Sequence, residues 1–208
     1  MAKIHRDDTE IFHDYDLHIP SKTLFLGSTG ITDGEEDGVN YLMAERAIKN
    51  LHLLDNSGEN TITIILNSLG GDFIHGQAIY DAIRSCKNRV IVKANGYCMS
   101  AASFIIQAGD ERYMYENSTM MLHYGSASFG GDSKTVNKWA EWNRKGAEWM
   151  ERIYLEKIRA VNPDFYESKL KKMLSHDCIL NSEEALNLGL IDGIIGPEGK
   201  VITRSEQS

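Results

Sequence analysis

The sequence is short of everything that would take it out of the ordinary globular class. Only three of its 208 residues are cysteine and only three are proline. Cys86, Cys98 and Cys178 are odd in number and stand in no metal-type spacing, so they read as reduced thiols rather than a disulfide framework or a zinc cluster. Basic residues are outnumbered, 22 against 30 acidic ones, for a net charge of −8. No Lys/Arg run stands out, so neither nucleic acid nor an anionic membrane is an expected partner. No apolar run approaches the ~18 residues of a membrane span. Residues 1–16 are charged and lack an apolar h-region, so no signal peptide is expected and the implied compartment is the cytoplasm. There is no Gly-Lys-Ser/Thr and no G-x-G-x-x-G, which argues against a nucleotide site.

What is present reads as an enzyme-like α/β chain. Apolar residues are 42 % and charged residues 25 %, enough of each for a soluble protein with a substantial core. Residues 1–19 are polar and expected to be irregular. Thr23–Gly27 reads as a strand, and residues 28–38 as a loop. Val39, Leu42, Met43, Ala47, Ile48, Leu51 and Leu54 mark a helical face. Ile62–Leu66 is a nearly continuous apolar strand, as in a sheet covered on both faces. Ile74, Ala78, Ile79, Ala82 and Ile83 mark a second helix. Val90–Ala94, Glu111–Tyr115 and Thr119–Leu122 are further strands. Strand and helix alternate without linker or repeat, which predicts one domain over 1–208 with parallel pairing and right-handed crossovers.

The chain after Leu122 holds a small, Gly-rich segment and then a long helix, about 133–161, stopped by Asn162-Pro163. Val136, Ala140, Ala147, Met150, Tyr154, Ile158 and Val161 form one stripe. Trp142, Trp149 and Ile153 form a second, with Trp139 between them. One core needs one stripe. The tryptophan side is therefore expected to meet another subunit. Phe165–Leu174 is a short helix. Asn181 or Ser182 caps another over Glu183–Leu188, closed by Gly189. Leu190–Ile195 is the last predicted strand.

The stretch Val90–Ala108 carries the chemistry. Its strand gives way, after Asn95-Gly96, to a breaker-free run from Ser100 to Ala108. Ser100 thus stands at a helix start, where unpaired N–H groups gather, and is either a cap or a nucleophile. Gly70-Gly71 follows the strand ending at Leu66 and precedes a helix. Without Cβ atoms it lets a substrate approach backbone N–H groups, as an oxyanion hole requires, although a plain tight turn looks the same. His5, His13 and His18 lie in the polar N-terminus, His52 near a helix end and His75 at a helix start. His123 ends a strand, on scaffold yet open, as suits a general base. Asp177, beside His176, could orient an imidazole or simply be solvated. Ser103 lies nearly one turn into its helix and is expected to be buried. A metal site from His75, His123, His176 and Asp177 has no supporting spacing, so neither metal nor cofactor is expected.

Ordered motifs settle the reading by resemblance. Ile62–Gly71 (ITIILNSLGG), Ala78–Ala82 (AIYDA), Gly96–Phe104 (GYCMSAASF), Met121–His123 (MLH) and Asn181–Ile195 (NSEEALNLGLIDGII) together resemble the Clp protease proteolytic subunits. The resemblance covers about 24–195. It implies a crotonase-like α/β fold, a repeated ββα superhelix with a long protruding helix after the catalytic histidine. It also implies a serine endopeptidase acting on unfolded polypeptides, with Ser100 as nucleophile, His123 as base and Asp177 as orienting acid. Oxyanion donors would be the backbone N–H groups of Gly71 and Ala101. Implied partners are further copies of the chain, as two stacked heptameric rings, and an AAA+ unfoldase. Leu69 stands where the family has proline. Ala101 stands where methionine is common. Ile65 and Ser85 stand where aromatic residues of the ATPase-docking pocket are common. Ser100–Ser103 and Ala108-Gly109-Asp110 also resemble Clp-like peptidases of bacteriophage head maturation, which work without an ATPase. A crotonase-like acyl-CoA enzyme and a non-catalytic ring subunit are the remaining alternatives.

Overall fold

The computed structural model describes residues 7–27, 31–32 and 35–206. Its N-terminal part differs from the irregular segment expected up to residue 19. Asp8–Tyr15 is a helix (α1), opened by Asp7, whose carboxylate accepts the Glu10 N–H at 2.8 Å. The helix buries no residue, so apolar periodicity carries no trace of it. The Asp-to-Glu spacing of a helix start is the sequence signal it does have. Leu17–His18 (β1) pairs antiparallel with Thr23–Leu26 (β2). Within the loop expected over 28–38, Ile31–Thr32 (β3) and Glu35–Glu36 (β4) form a short hairpin, while 28–30 and 33–34 lie outside the described residues.

From here the helix and strand assignments hold, with shifted ends. Asn40 caps α2 (Tyr41–Asp55), accepting the Met43 N–H at 2.9 Å, and Met43, Ala47, Leu51 and Leu54 are buried as their spacing predicts. Next come β5 (Ile62–Ser68), α3 (Phe73–Ser85), β6 (Val90–Met99) and α4 (Ala101–Ile105), the last prolonged by one 3-10 turn. Glu111–Tyr115 (β7) and Thr119–Leu122 (β8) match their predicted spans. So does α5 (Ser133–Val161), followed by α6 (Glu167–Leu174). Cys178–Asn181 forms a strand (β9) that the sequence did not suggest. In α7 (Ser182–Leu188) Asn181 is the cap, reciprocated by Glu184, and Gly189 ends the helix with φ 86°. The last predicted strand shrinks to Gly193–Ile195 (β10), and Val201–Thr203 (β11) adds one more.

The sheet runs β1-β2-β5-β6-β7-β10-β11, parallel from β2 to β10 and antiparallel at both edges. β6 serves two sets of neighbours. Ile91–Ala94 pairs with β7, and Tyr97–Met99 pairs with β8, which in turn pairs antiparallel with β9. Asn95-Gly96, which the sequence suggests as the change of direction, is instead a bulge inside β6. Against β5 the register jumps from Leu66↔Ala94 to Ser68↔Cys98. Gly96 supplies the positive φ of 93°. Asn67 Oδ1 accepts the Tyr97 N–H and Ser118 Oγ accepts the Gly96 N–H, each at 3.0 Å. These two side chains replace ladder partners that the bulge removes.

The long helix divides into two parts. Its buried residues begin at Met150 and include Ile153, Tyr154 and Ile158. Trp149 turns inward, edge-on to Phe73, Tyr80 and Phe104, with ring centroids 5.1–5.8 Å away. This corrects the expectation of a continuous tryptophan face, since Trp149 and Ile153 belong to the core. Trp139 and Trp142, by contrast, are 52 % and 56 % exposed. Among the described residues no helix is long and apolar enough to cross a membrane.

Candidate active site

Two strands end and a third begins at one place. The parallel ladder pairs Met99 of β6 with Met121 of β8. The antiparallel ladder pairs Leu122 of β8 with Cys178 of β9. Ser100 and His123 directly follow β6 and β8, and Asp177 directly precedes β9. Their side chains meet. His123 Nε2 is 2.8 Å from Ser100 Oγ, and His123 Nδ1 is 2.8 Å from Asp177 Oδ1. With the carboxylate accepting the Nδ1–H, Nε2 is left with a lone pair facing the serine hydroxyl.

Ser100 occupies the cap position of α4, yet its hydroxyl caps nothing. Its backbone has φ 49° and ψ −121°, a positive-φ conformation that costs a non-glycine residue energy. The neighbours enforce it. The Ser100 N–H donates to Met121 O at 2.8 Å, and Ser103 N–H and Oγ–H both donate to Ser100 O, at 2.9 and 2.6 Å. The result is a sharp strand-to-helix turn that lifts Oγ towards His123. Ser103 itself is fully buried, and Tyr154 OH lies 2.6 Å from its Oγ. Its place as a packed residue agrees with the sequence. Tyr154 was visible there only as one residue of a core stripe.

The Gly70-Gly71 turn presses on the same point. A Cβ added to Gly70 would lie 2.5 Å from Ser100 Cβ and 2.9 Å from Ala101 N. Gly71 bridges to Val39 through bonds on either side of it: the Val39 N–H donates to Gly70 O at 2.7 Å and the Asp72 N–H to Val39 O at 2.8 Å. The Gly71 N–H takes no part in that bridge. Gly71, Ala101, Ser100 and His123 all line a cleft of about 900 Å³, which α5 closes on the far side with Trp139 and Trp142. The volume suits a bound ligand of considerable size.

The other candidates disperse. His75 packs edge-on to Tyr41, and His176 Nδ1 faces Ser175 Oγ at 3.3 Å. Among the described residues no group of three His, Cys, Asp or Glu is arranged to hold a metal ion. Burial pushes the Cys86 thiol up to about 11 and raises Cys98 and Cys178 as well, so none of the three forms a ready thiolate.

The family model described as Clp protease matches residues 34–198. The chain is 34 % identical over 187 residues to the ATP-dependent Clp protease proteolytic subunit of Deinococcus radiodurans, covering 87 % of this chain and 85 % of that one. It is 30 % identical over 166 residues to ATP-dependent Clp protease proteolytic subunit 2 of Pseudomonas aeruginosa, covering 79 % and 80 %. It is 33 % identical over 178 residues to the chloroplastic subunit 3 of Arabidopsis thaliana, covering 84 % and 53 %.

Proposed function

This chain belongs to the Clp protease family and is a serine endopeptidase of that type, and from this premise we propose that Ser100, His123 and Asp177 are its catalytic triad. Its mixed α/β architecture is the crotonase-like fold of the family. The observation that carries the triad is the imidazole bonded at 2.8 Å on both sides, to the serine hydroxyl and to the carboxylate. His123 Nε2 removes the Ser100 proton as Oγ attacks a peptide carbonyl. Gly71 and Ala101 N–H groups receive the oxyanion. Donors of this kind are each worth about 10²–10³ in rate. His123 then protonates the leaving amine, and water, activated by the same nitrogen, releases the acyl-enzyme. Asp177 holds the tautomer and stabilises the imidazolium.

The substrate is polypeptide in an extended, unfolded form, as the resemblance to Clp proteolytic subunits implies, and the cleft of about 900 Å³ beside Ser100 has room for such a segment. One domain over 1–208 does this work in the cytoplasm, within two stacked rings of seven identical subunits. An AAA+ unfoldase feeds that ring, as the words "ATP-dependent" and "proteolytic subunit" in the relatives' names suggest. Labelling with a serine-directed fluorophosphonate tests the nucleophile. Wild type labels and Ser100→Ala does not. Labelling that persists in Ser100→Ala moves the nucleophile elsewhere.

A further inference from the structure

The hold of Asp177 on His123 needs support that the pair itself does not supply. The Asp177 side chain is 65 % exposed and sits in a loop. Exposed ion pairs contribute little on their own and cost rotamer entropy to keep. The support lies one residue away. The Tyr124 N–H donates to Leu174 O at 2.9 Å, at the end of α6 and three residues before Asp177. Tyr124 OH donates to Glu151 Oε1, on α5. Glu151 is only 8 % exposed, and its second oxygen faces Lys171 Nζ of α6 at 3.6 Å. Lys171 also pairs with Glu167 at 2.7 Å.

Three elements are thus tied at one point: the chain leaving β8, the middle of α5, and α6. A buried polar group left without partners is costly, so these bonds favour one arrangement of the three elements. Burial and the bond to Glu151 push the Tyr124 hydroxyl well above the usual phenol range, so it stays protonated and donating. Tyr124, Glu151 and Lys171 line the same cleft as Ser100 and His123.

We propose that Tyr124 and Glu151 are positioning residues, which fix the main chain after His123 and the loop before Asp177 in one register. The proposal rests on the triad reading above. Tyr124→Phe removes a single oxygen and keeps the ring. It lowers kcat by about tenfold with KM within twofold, and the fluorophosphonate labelling rate of Ser100 falls by the same factor. Glu151→Leu does the same. Glu151→Gln, which keeps a carbonyl to accept from Tyr124, stays within about threefold of wild type. Unchanged kcat in Tyr124→Phe and Glu151→Leu overturns the proposal. So does a loss carried by KM, which would make these residues substrate contacts, and so does equal loss from Gln and Leu at 151. Should Glu151→Leu fail to fold, Tyr124→Phe decides alone. Failure of the triad reading is separable, because it appears as labelling that survives Ser100→Ala in an otherwise wild-type chain.

Discussion

Two serines three residues apart have opposite jobs, and the difference is a matter of where each hydroxyl points. Ser100 Oγ faces an imidazole in an open cleft. Ser103 Oγ is fully buried and donates to the carbonyl of Ser100, while Tyr154 OH stands against it. Ser103→Ala should therefore act on stability. It leaves the buried Tyr154 phenol without its Ser103 partner, while the Ser100 carbonyl keeps the Ser103 N–H, at a cost of about 1–3 kcal/mol. Hydrolysis of a short peptide by Ser103→Ala is expected to persist at temperatures where the variant is folded. Ser100→Ala is expected to leave the melting temperature near wild type and to abolish turnover, a loss of the order of 10⁶ for a triad nucleophile. Equal loss of activity from both changes would contradict the assignment. Gly70 is a second residue whose role is spatial. A methyl there would collide with Ser100 Cβ and Ala101 N, and its φ of 95° disfavours any side chain. Gly70→Ala should lower kcat without removing any catalytic group, read as a labelling rate of Ser100 reduced by at least about tenfold.

At the scale of elements, the ladders explain why so much of the site was legible. Ser100 could be suspected because a β-branched run gives way to small residues there. Gly70-Gly71 could be suspected because glycines follow a strand. The pairing of His123 with Asp177 rests in the sequence on the family resemblance and not on pattern, because β9 is four residues long with only one buried residue, and its sequence alternates too weakly to announce a strand. Once β9 is known, antiparallel register alone puts Asp177 opposite His123. The helix α1 escaped for the complementary reason, since it buries nothing. The bulge in β6 was misread because Asn-Gly most often turns a chain, and only the partners Asn67 and Ser118, distant in sequence, convert it to a kink in a continuing strand. A second element-level tie joins β7 to the segment before β10. Arg112 Nε and Nη2 donate to the two oxygens of Asp192 at 3.0 and 2.7 Å, and Nη1 to Gln107 Oε1 at 3.2 Å. Burial alone would raise the Asp192 carboxyl, but the Arg112 bonds outweigh it and hold the group below its ordinary value. The ionised carboxylate thus stabilises the fold above about pH 4, the range where an unfolded Asp titrates, and this support fades as pH falls toward the depressed folded-state value. Asp192→Asn should cost about 2–3 kcal/mol at pH 7, less than for a fully dry pair because the Asp192 side chain is 29 % exposed. Urea midpoints measured from pH 7 down to pH 3 should show the gap to wild type closing below about pH 4. A gap that stays constant with pH would remove the charge from the explanation.

For the whole molecule, the unspent feature is the first half of α5. Trp139 and Trp142 are both more than half exposed, on a helix whose buried residues start only at Met150. An aromatic pair left in water on a projecting helix is characteristic of a surface that another chain covers. The same two side chains line the cleft that holds Ser100, so a chain covering them would also border that cleft. A second copy of this chain suits that place, because the same helix presented by a symmetry-related subunit brings its own tryptophans to the contact. Wild type is therefore expected to sediment as a large oligomer. Replacing Trp139 and Trp142 together by Gln should shift the distribution toward smaller species and lower peptide hydrolysis in parallel, while the core, which holds Trp149 rather than these two, stays folded by circular dichroism. Fluorophosphonate labelling of the dissociated variant separates two causes of that loss. If Ser100 still labels at the wild-type rate, assembly supplies confinement of substrate. If labelling falls with dissociation, assembly supplies alignment of Ser100, His123 and Asp177. A wild-type chain that sediments as a monomer at working concentration and still hydrolyses peptides would rule out the oligomer in either role.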